Sequence, residues 1–372
     1  MKLSVTQENL NKALLIANRV VGGRTGLPVL NNVLLVSEKG RLKISATNLE
    51  VGINYWIGSK IEEEGSITVP ARLFSDFIAS LPSGDNVNLS SDGAVLKIKA
   101  TNFESSINGI PAEEFPLIPQ VKSKAAVVLD SEKLKDAILQ TAQIASSDEA
   151  RPVLTGVYLY IIKGGLTLVA TDSYRLAEKK IKIEKKEAKF SAIVPARTMS
   201  ELARILSEIS GEVKIFLEEN QIMFAIEDLE LTSRLIDGQF PNYQQIIPPQ
   251  SSKDTVFKVE TDELIRIAKI AGLFARENAG SVRLEVKPKE DVINIISATS
   301  QVGENTSTYH CRAKGPDVEI TLNSRYLLDA LATIKTAEAE FIINGKLNPV
   351  VVKPVNKEKE LDYIHIIMPL RT

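Results

Sequence analysis

Hydrophobic residues recur at the helical spacing of i, i+3, i+4 and i+7 near the start of the chain and again early in its last third. The two stripes are Leu10, Ala13, Leu14, Ala17 and Val21, and Leu264, Ile267, Ala268, Ala271 and Phe274. This spacing predicts amphipathic helices that each pack one face on a core. Thr6, Ser131 and Thr261 each precede carboxylates, which predicts that they cap the beginnings of three helices.

Strand-like runs follow each predicted helix, and one of them repeats. Residues 42–48, 166–172 and 293–300 are rich in hydrophobic residues and contain Ala-Thr followed by a small polar residue. The copies lie about 125 residues apart, and such self-similarity is the signature of a repeated architecture. A finer copy, residues 96–104, matches residues 42–50 almost letter for letter. Each repeat therefore has two halves, each with a helix and several antiparallel strands.

The repeat predicts an α+β fold of three similar domains, each made of two helix-plus-antiparallel-sheet halves. The predicted domains are residues 1–120 (N-terminal), 121–250 (central) and 251–372 (C-terminal). Pro-rich segments near residues 117–126 and 246–256 mark the predicted linkers. Function is then expected to depend on assembled shape more than on one catalytic pocket.

Composition narrows the class of protein. With 44% hydrophobic and 25% charged residues, the chain is typical of a soluble globular protein. The net charge of −2 argues against a partner as acidic as DNA unless positive charge is concentrated on one surface. The single cysteine, Cys311, suits a reducing compartment. Because we find no signal peptide and no apolar run of about 20 residues, we expect a cytoplasmic protein without membrane contact.

Sequence motifs of enzymes are missing. We find no Gly-x-x-x-x-Gly-Lys-Ser/Thr loop, no Gly-x-Gly-x-x-Gly and no Gly-x-Ser-x-Gly turn. His310 and His365 are the only histidines, which are too few for most metal or triad chemistry. His310 and Cys311 are adjacent on a predicted strand, so their side chains point to opposite faces. We therefore expect no enzyme activity, no cofactor and no metal.

Several longer motifs, in order and at repeat spacing, carry a family resemblance. They are Gly22-Gly23-Arg24, Ala170 to Ala177, Asp237 to Tyr243, and Met368-Pro369. With the six half-domains, they resemble the bacterial DNA polymerase III beta subunit, the beta sliding clamp, over the full length of the chain. The resemblance implies a DNA-clamp fold in which a head-to-tail homodimer closes into a ring around double-stranded DNA. It places Ile107, Leu273 and Phe274 at the dimer interface, although Leu273 and Phe274 also suit the core face of an amphipathic helix.

Basic residues recur on the predicted helices, which in this family line the hole of the ring. The resemblance favours Arg24 and Arg197 as DNA contacts, with Gly23 and Arg72 as weaker ones. Helical spacing adds Lys12, Arg19, Arg204, Arg266, Lys269 and Arg276. Lys and Arg contacts to phosphate position a protein on DNA without reading its sequence, which sliding requires. Ordinary solvated helix faces are the alternative interpretation of these residues.

The resemblance also implies a pocket between domains two and three that docks short linear peptides of partner proteins. Matched residue by residue, the pocket consists of Leu154, Thr171, Ser173, Tyr174, Arg175, Leu176, Pro241, Ile246, Asn323, Tyr326, Val350, Ile366, Met368, Pro369, Leu370 and Arg371. Its aliphatic residues offer apolar subsites, and Arg175 offers a polar anchor. Tyr174 replaces the histidine of many relatives and Gln245 a basic residue of some, which alters the expected ranking of partner peptides. Thr171-Asp172-Ser173 also suits an ordinary strand-to-turn boundary.

The sequence thus predicts a DNA sliding clamp, a non-catalytic processivity factor. The resemblance implies the replicative polymerase alpha subunit, the clamp-loader delta subunit, and other polymerases and repair proteins as partners. A repeat scaffold that binds proteins without DNA is the alternative. Retention on circular but not on linear DNA distinguishes the two.

Overall fold

The computed structural model describes residues 1–22, 26–121, 123–162, 164–183, 190–249, 251–299, 303–355 and 363–371. Six α-helices occur in these ranges. They are α1 (Gln7–Ala17), α2 (Ala71–Ser80), α3 (Ser131–Thr141), α4 (Ala196–Ile205), α5 (Thr261–Ala275) and α6 (Ser324–Ala332). Contacts divide the chain into two compact units, one of residues Met1–Lys135 and Glu201–Leu235 and one of Asp136–Ser200 and Ile236–Thr372.

The first unit contains two antiparallel sheets. Its strands are β1 (Lys2–Thr6), β2 (Asn32–Glu38), β3 (Arg41–Thr47), β4 (Val51–Gly58), β5 (Lys60–Glu63), β6 (Gly65–Pro70), β7 (Asn86–Asp92), β8 (Val95–Ala100), β9 (Phe103–Asn108), β10 (Val127–Asp130), β15 (Glu212–Leu217), β16 (Gln221–Ile226) and β17 (Leu229–Arg234). One sheet has the order β5-β1-β7-β8-β9 and the other β10-β15-β16-β17-β4-β3-β2-β6. Strand β9 therefore forms one edge of the smaller sheet.

The second unit repeats this plan with a longer and a shorter antiparallel sheet. Its strands are β11 (Gly156–Ile162), β12 (Gly165–Thr171), β13 (Arg175–Lys182), β14 (Ser191–Pro195), β18 (Thr255–Glu260), β19 (Ser281–Lys287), β20 (Val292–Thr299), β21 (Gly303–His310), β22 (Ala313–Lys314), β23 (Val318–Asn323), β24 (Glu338–Ile343), β25 (Val350–Pro354) and β26 (Tyr363–Ile367). The orders are β14-β11-β12-β13-β26-β25-β24-β18-β22 and β21-β20-β19-β23. Strand β21 forms an edge of the shorter sheet.

Each long sheet joins strands from two sequence repeats. In the first unit β17 pairs with β4, with Leu231 opposite Ile53. In the second unit β13 pairs with β26, with Leu176 opposite Ile366. Backbone hydrogen bonds therefore join strands that lie on opposite sides, in the sequence, of the predicted linkers near residues 120 and 250. This pairing satisfies strand edges that would otherwise be exposed.

Strand and helix faces meet in apolar cores, as the hydrophobic patterns predict. On β3, Leu42 and Ile44 are fully buried, and so are Leu10 and Leu14 of α1. Complete burial of such a side chain contributes roughly 2 kcal/mol to folding. Because aromatic residues make up only 5% of the chain, aliphatic side chains dominate both cores.

The first helix is shorter than its hydrophobic stripe predicts. It ends at Ala17, so that Arg19 and Val21 lie in the turn that follows. Hydrogen bonds between residues three apart, such as Arg19 N–H to the Ile16 carbonyl (3.2 Å), tighten this turn. Gly22 follows with φ of +94°, in the left-handed region that favours glycine. The prediction that Val21 extends the helical stripe is therefore wrong.

The hydroxyls predicted to cap helices do not cap them, and two of the three have other partners. Thr6 lies at the N-cap of α1, but its side chain makes no capping hydrogen bond. Helix α3 is capped one residue earlier than predicted, because Asp130 Oδ1 accepts the backbone N–H groups of Glu132 (3.0 Å) and Lys133 (3.1 Å). Ser131 Oγ instead accepts the Gly211 N–H (3.1 Å), and Thr261 Oγ1 donates to the Thr336 carbonyl (2.9 Å). These buried hydroxyls tie helix starts to neighbouring segments.

The Ala-Thr repeat forms a side-chain-stabilised turn. In its first copy Thr47 Oγ1 donates to the Val51 carbonyl (2.9 Å) and accepts the Leu49 N–H (3.0 Å). Asn48 Oδ1 accepts the N–H groups of Glu50 (3.0 Å) and Val51 (2.8 Å). Short polar side chains that bond the backbone two or three residues ahead favour such turns. The repeated polar residues therefore have a structural purpose.

Candidate functional site

The second copy of this turn begins the predicted peptide pocket. Thr171 Oγ1 donates to the Arg175 carbonyl (2.7 Å) and accepts the Ser173 N–H (3.2 Å). Asp172 Oδ1 accepts the N–H groups of Tyr174 (2.9 Å) and Arg175 (3.0 Å). Ser173 has φ of +80°, as Leu49 has +75° in the first copy. Thr171, Asp172 and Ser173 thus form a strand-to-turn boundary, and the turn exposes 58% of Tyr174.

Two carboxylates hold the Arg175 guanidinium in a fixed orientation. Its Nε lies 3.0 Å from Asp172 Oδ2, and one terminal nitrogen bonds Asp329 Oδ2. The guanidinium carbon lies 4.6 Å from the Tyr326 ring centroid, within cation–π range. Burial, and then the Asp172 carboxylate, raise the pKa of Tyr326, so its phenol stays neutral. Arg175 therefore anchors an aromatic surface formed by Tyr174 and Tyr326, whose ring centroids are 6.3 Å apart.

The C-terminal segment lies against this turn. The Met368 N–H donates to the Tyr174 carbonyl (2.8 Å), and the Leu370 N–H donates to the Thr321 carbonyl (2.8 Å). Met368, Pro369 and Leu370 remain partly exposed. Met368, near the C-terminus, is thereby brought against Tyr174, in the first segment of the second unit.

Strand alternation divides the buried pocket residues between two sheet faces. Leu176 lies opposite Ile366, and both belong to one apolar cluster. Arg175 and Val350 each lie opposite Ile367, on the other face of the sheet. Val350 is fully buried and Leu154 is 5% exposed, so neither side chain offers much surface to a ligand. Pro241 and Ile246 are exposed and available for contact.

A cavity of about 760 Å³ adjoins the aromatic surface and contains four of the predicted pocket residues, Tyr174, Arg175, Asn323 and Tyr326. Sequence reasoning did not assign Asp172 and Asp329 to this site, although they fix Arg175. The spacing of Tyr326 and Asp329, three residues apart on α6, is the signal that could have identified Asp329. Arg151, Arg276 and Arg325, which also line the cavity, were not assigned to the pocket.

A buried polar cluster lies on the Arg175 side of the same sheet. Tyr363 is bonded through its hydroxyl to Thr333 Oγ1 (2.7 Å) and His365 Nδ1 (3.0 Å). Gln140 Nε2 donates to the Thr333 carbonyl (3.0 Å). Burial, and then the charge of Arg175, lower the pKa of His365 to about 3, so the ring is neutral. The cluster joins α3, α6 and β26 beneath the pocket.

A second network lies on the Leu176 side of the sheet. The hydroxyls of Tyr160 and Tyr243 are 2.7 Å apart, and Tyr243 donates to Glu178. Glu178 also pairs with Lys180 (3.0 Å). Burial, and then the Glu178 hydrogen bond, raise the pKa of Tyr243. This network fixes the segment around residue 243, which carries Pro241 and Ile246.

The predicted DNA-contacting residues fall into two groups. Arg19 pairs with Glu208, Arg204 with Glu201 (2.8 Å) and Arg266 with Glu263 (3.4 Å). The second group consists of Lys12, Arg72, Arg197, Lys269 and Arg276, which are exposed and have no ion pair in the described ranges. Gly23 and Arg24 lie outside the described residues.

The residues predicted at the dimer interface differ in exposure. Ile107 on β9 is buried within its own unit at 6% exposure, opposite Leu96. Leu273 on α5 is 55% exposed, and Phe274 is partly buried. Helix α5 lies against β20 and β21. The free edge of β9 and the Leu273 side chain on α5 are therefore available to a partner.

No cluster of three or more metal-ligating side chains occurs within the described part of the chain. Among the same residues, no helix is long and apolar enough to cross a membrane. Burial, and then Asp291, raise the pKa of Cys311 to about 11, so its thiol is protonated and unreactive.

Comparison with known proteins identifies the family. Three domain families match in order: the N-terminal domain of the DNA polymerase III beta subunit at residues 1–119, the central domain at 128–242 and the C-terminal domain at 244–371. The "Beta sliding clamp" of Synechococcus elongatus is 31% identical over 379 residues, covering 100% of this chain and 99% of that protein. The one from Bacillus subtilis is 29% identical over 384 residues and both full lengths.

Solved structures agree with this assignment. The crystal structure of the Bacillus subtilis DNA polymerase sliding clamp superimposes with a TM-score of 0.93 at 28% identity, covering 100% of this chain and 99% of that chain. A Pseudomonas aeruginosa sliding clamp bound to griselimycin gives 0.93 at 29% identity over both full lengths. The predicted three-domain clamp fold is thereby confirmed. The chain belongs to the DNA polymerase III beta subunit family, the sliding clamps that act as non-catalytic processivity factors in DNA replication.

Proposed function

We propose that this sliding clamp acts as a head-to-tail homodimeric ring around duplex DNA in the cytoplasm. The observation that carries the proposal is that the shorter sheet of each unit has an edge strand next to residues predicted at the interface, β9 with Ile107 in the first unit and β21 with helix α5 in the second. Exposed edges favour pairing with another chain, and a head-to-tail dimer uses both of them at two equivalent interfaces. The exposed cations Lys12, Arg72 and Arg197 support sequence-independent contact with the phosphate backbone.

Topological retention on DNA tests this ring. The protein is loaded onto nicked circular plasmid with its clamp-loader complex, and bound protein is separated by gel filtration before and after restriction cleavage. A ring stays on the circle and is lost from the linear DNA. Equal retention on both forms contradicts encirclement, and no retention on either favours a scaffold without DNA. Lys12→Ala with Arg72→Ala should lower the amount of protein loaded onto the circle at 150 mM salt, because phosphate contacts are lost.

We further propose that the replicative polymerase alpha subunit, the clamp-loader delta subunit and other polymerases and repair proteins dock at the pocket around Arg175. Exposed Tyr174 lies next to the fixed guanidinium of Arg175, and Ile246 is exposed on the segment that Tyr243 holds; aromatic anchors in such settings often dominate binding. The buried apolar cluster of Leu176 and Ile366 supports the strand that carries Arg175 from the other face of the sheet, so little ordering of this strand is needed when a peptide binds.

Surface-binding measurements with purified alpha and delta subunits test the docking site. The double variant Tyr174→Ala/Ile246→Ser should weaken both interactions more than tenfold, since it removes two exposed apolar contacts. Leu139→Ser is the matched control, because Leu139 is 52% exposed on α3 and lies outside the predicted pocket. Unchanged affinity of the double variant for both subunits contradicts this assignment of the pocket.

A further inference from the structure

The 760 Å³ cavity beside the aromatic surface has an uneven distribution of charge. Four arginines line it, Arg151, Arg175, Arg276 and Arg325, against two aspartates, Asp148 and Asp172. The cavity lies wholly within the second unit, between the loop of residues 145–151 and the junction of α5 with α6.

The two arginines nearest the turn of residues 171–175 already pair with carboxylates of the same unit. Arg151 Nε pairs with Asp148 Oδ2 (3.0 Å), and its terminal nitrogen donates to Ser173 Oγ (2.9 Å). Arg175 is held by Asp172 and by a third carboxylate, Asp329. This half of the cavity is close to electrically neutral.

The other two arginines have no ion pair within the described part of the chain. Arg276 follows the last residue of α5, and Arg325 is the second residue of α6; both are exposed. Positive charge is therefore concentrated on the α5–α6 side of the cavity. Arginine presents a planar set of donors that matches a carboxylate, so a carboxylate is the complementary group.

The wall that carries these arginines is rigidly built. Asn323 Nδ2 donates to the Ala279 carbonyl (3.0 Å), and the Ser324 N–H donates to the Gly280 carbonyl (2.8 Å). Ala279 and Gly280 have φ of +48° and +71°. A Cβ at Gly280 would lie 3.2 Å from the Asn323 side chain, so the left-handed glycine permits this close approach. The backbones of Arg276 and Arg325 are thus held at fixed positions.

We infer that this cavity is an acidic-residue subsite, in which Arg276 and Arg325 bind the side-chain carboxylates of a partner peptide next to its apolar anchor. The cavity shares Tyr174, Asn323 and Tyr326 with the predicted peptide pocket, so one peptide spans both. This inference rests on the proposed docking of peptides. A peptide is favoured over DNA as the occupant because the cavity continues into an aromatic, apolar surface.

A peptide series tests the subsite. A random library of seven-residue peptides is selected for sequences that bind the wild-type protein and do not bind Tyr174→Ala/Ile246→Ser. One selected peptide, the core, is labelled with fluorescein and synthesised with Glu-Glu, Ser-Ser or Lys-Lys added at either end. Surface ion pairs contribute modestly, so we expect one Glu-Glu peptide to bind roughly threefold to tenfold more tightly than its Ser-Ser counterpart. The preference should fall between 50 and 200 mM NaCl because salt screens exposed charges.

Variants assign the preference to the two arginines. Arg276→Gln/Arg325→Gln should remove the Glu-Glu preference and leave the affinity for the Ser-Ser peptide unchanged. Lys289→Gln/Arg312→Gln, which removes two exposed charges elsewhere in the second unit, should retain it. Equal affinity for all three peptides, with the core still bound, overturns the subsite alone. Failure to select any core overturns both the subsite and the docking proposal. Displacement of the Glu-Glu peptide by a 12-base-pair duplex on wild type, but not on Arg276→Gln/Arg325→Gln, assigns the arginines to DNA and overturns the peptide subsite.

Discussion

At the scale of single residues, the pocket depends on groups that hold other groups in place. Arg175 is only 9% exposed. Its charge is balanced by Asp172 and Asp329, and its guanidinium lies near the Tyr326 ring. A buried charge needs such partners because desolvation is expensive. Asp329 is therefore a positioning residue, which acts on ligands through Arg175.

Replacing Asp329 with Asn should lower peptide affinity. Asp172 alone then orients Arg175, and we expect the Kd of the Ser-Ser peptide to rise about threefold to tenfold, since charge-assisted hydrogen bonds orient more strongly than neutral ones. Anisotropy titration measures this, and Asp136→Asn is the control because it removes the exposed pair of Asp136 with Lys335 (2.6 Å). Equal Kd values for the two variants contradict the positioning role.

His365 should make the stability of the second unit depend on pH. Its folded pKa of about 3 lies below the ordinary value of 6.5, so the unfolded chain binds a proton that the folded chain excludes. The stability that neutral His365 provides is complete above pH 6.5 and is lost as pH falls toward 3, by about 1.4 kcal/mol per pH unit.

Urea unfolding at pH 6.5, 5.5 and 5.0 measures this dependence. His365→Gln should be less stable at pH 6.5 but should show a flatter decline, whereas His310→Gln, at an exposed position, should follow the wild type. A parallel decline in His365→Gln and the wild type would show that another group causes the loss.

At the scale of elements, the repeated turn is a unit that the chain reuses in different surroundings. The copies at Thr47 and Thr171 make the same four side-chain-to-backbone hydrogen bonds, and both place their third residue in the left-handed region. In the finer copy, Thr101 Oγ1 instead donates to Asp85 Oδ1 (3.1 Å). Only the second copy continues with Tyr174 and Arg175. The turn therefore provides geometry, and the residues that follow it provide binding.

Leu49 is a strained position in the first copy. A leucine at φ of +75° is unfavourable, whereas Asn tolerates this region more readily. We expect Leu49→Asn to raise the free energy of unfolding by about 0.5–1 kcal/mol, because Leu49 is 48% exposed and loses little packing. Chemical denaturation measures the change. Leu117→Asn, at a 95% exposed position without positive φ, should have no effect; equal effects of both variants would refute the strain argument.

At the scale of the whole molecule, association is expected to complete what one chain leaves open. The smaller sheet of each unit ends in an unpaired edge strand among the described residues, β9 in one and β21 in the other. Helix α5 lies against β21, and Ile270 and Leu273 are exposed on this helix. An apolar helix face next to an open edge is suited to burial in an interface.

Leu273→Asp should convert the dimer to a monomer. A carboxylate buried at an apolar interface loses hydration without gaining a partner, so we expect the dimer dissociation constant to rise at least a hundredfold. Light scattering across a dilution series measures it, with the wild type expected at twice the 40.8 kDa chain mass. Leu347→Asp, also at an exposed leucine of the second unit, should remain dimeric. A persistent Leu273→Asp dimer would place the interface elsewhere.

The sequence by itself determined the repeated α+β plan, the strand-to-turn motif and the family. The plan and the motif depend on local spacing: helical stripes, strand alternation, and hydrogen bonds such as those of Thr171 that span no more than four residues. The family was indicated by the resemblance of longer motifs, such as Ala170 to Ala177. Local signals were less accurate at helix ends, where Ser131 and Thr261 bond distant backbone in place of their own helices.

Only the tertiary structure decided how the site is held together. Arg175 and Asp329 are 154 residues apart in the chain, and Gln140 and Thr333 are 193 apart. It also decided that Arg19 is neutralised by Glu208, 189 residues away, although its spacing indicated a free cation. Contacts at such separations depend on which strands pair and which faces pack, and these follow from the free energy of the complete fold and not from the pattern around any one residue.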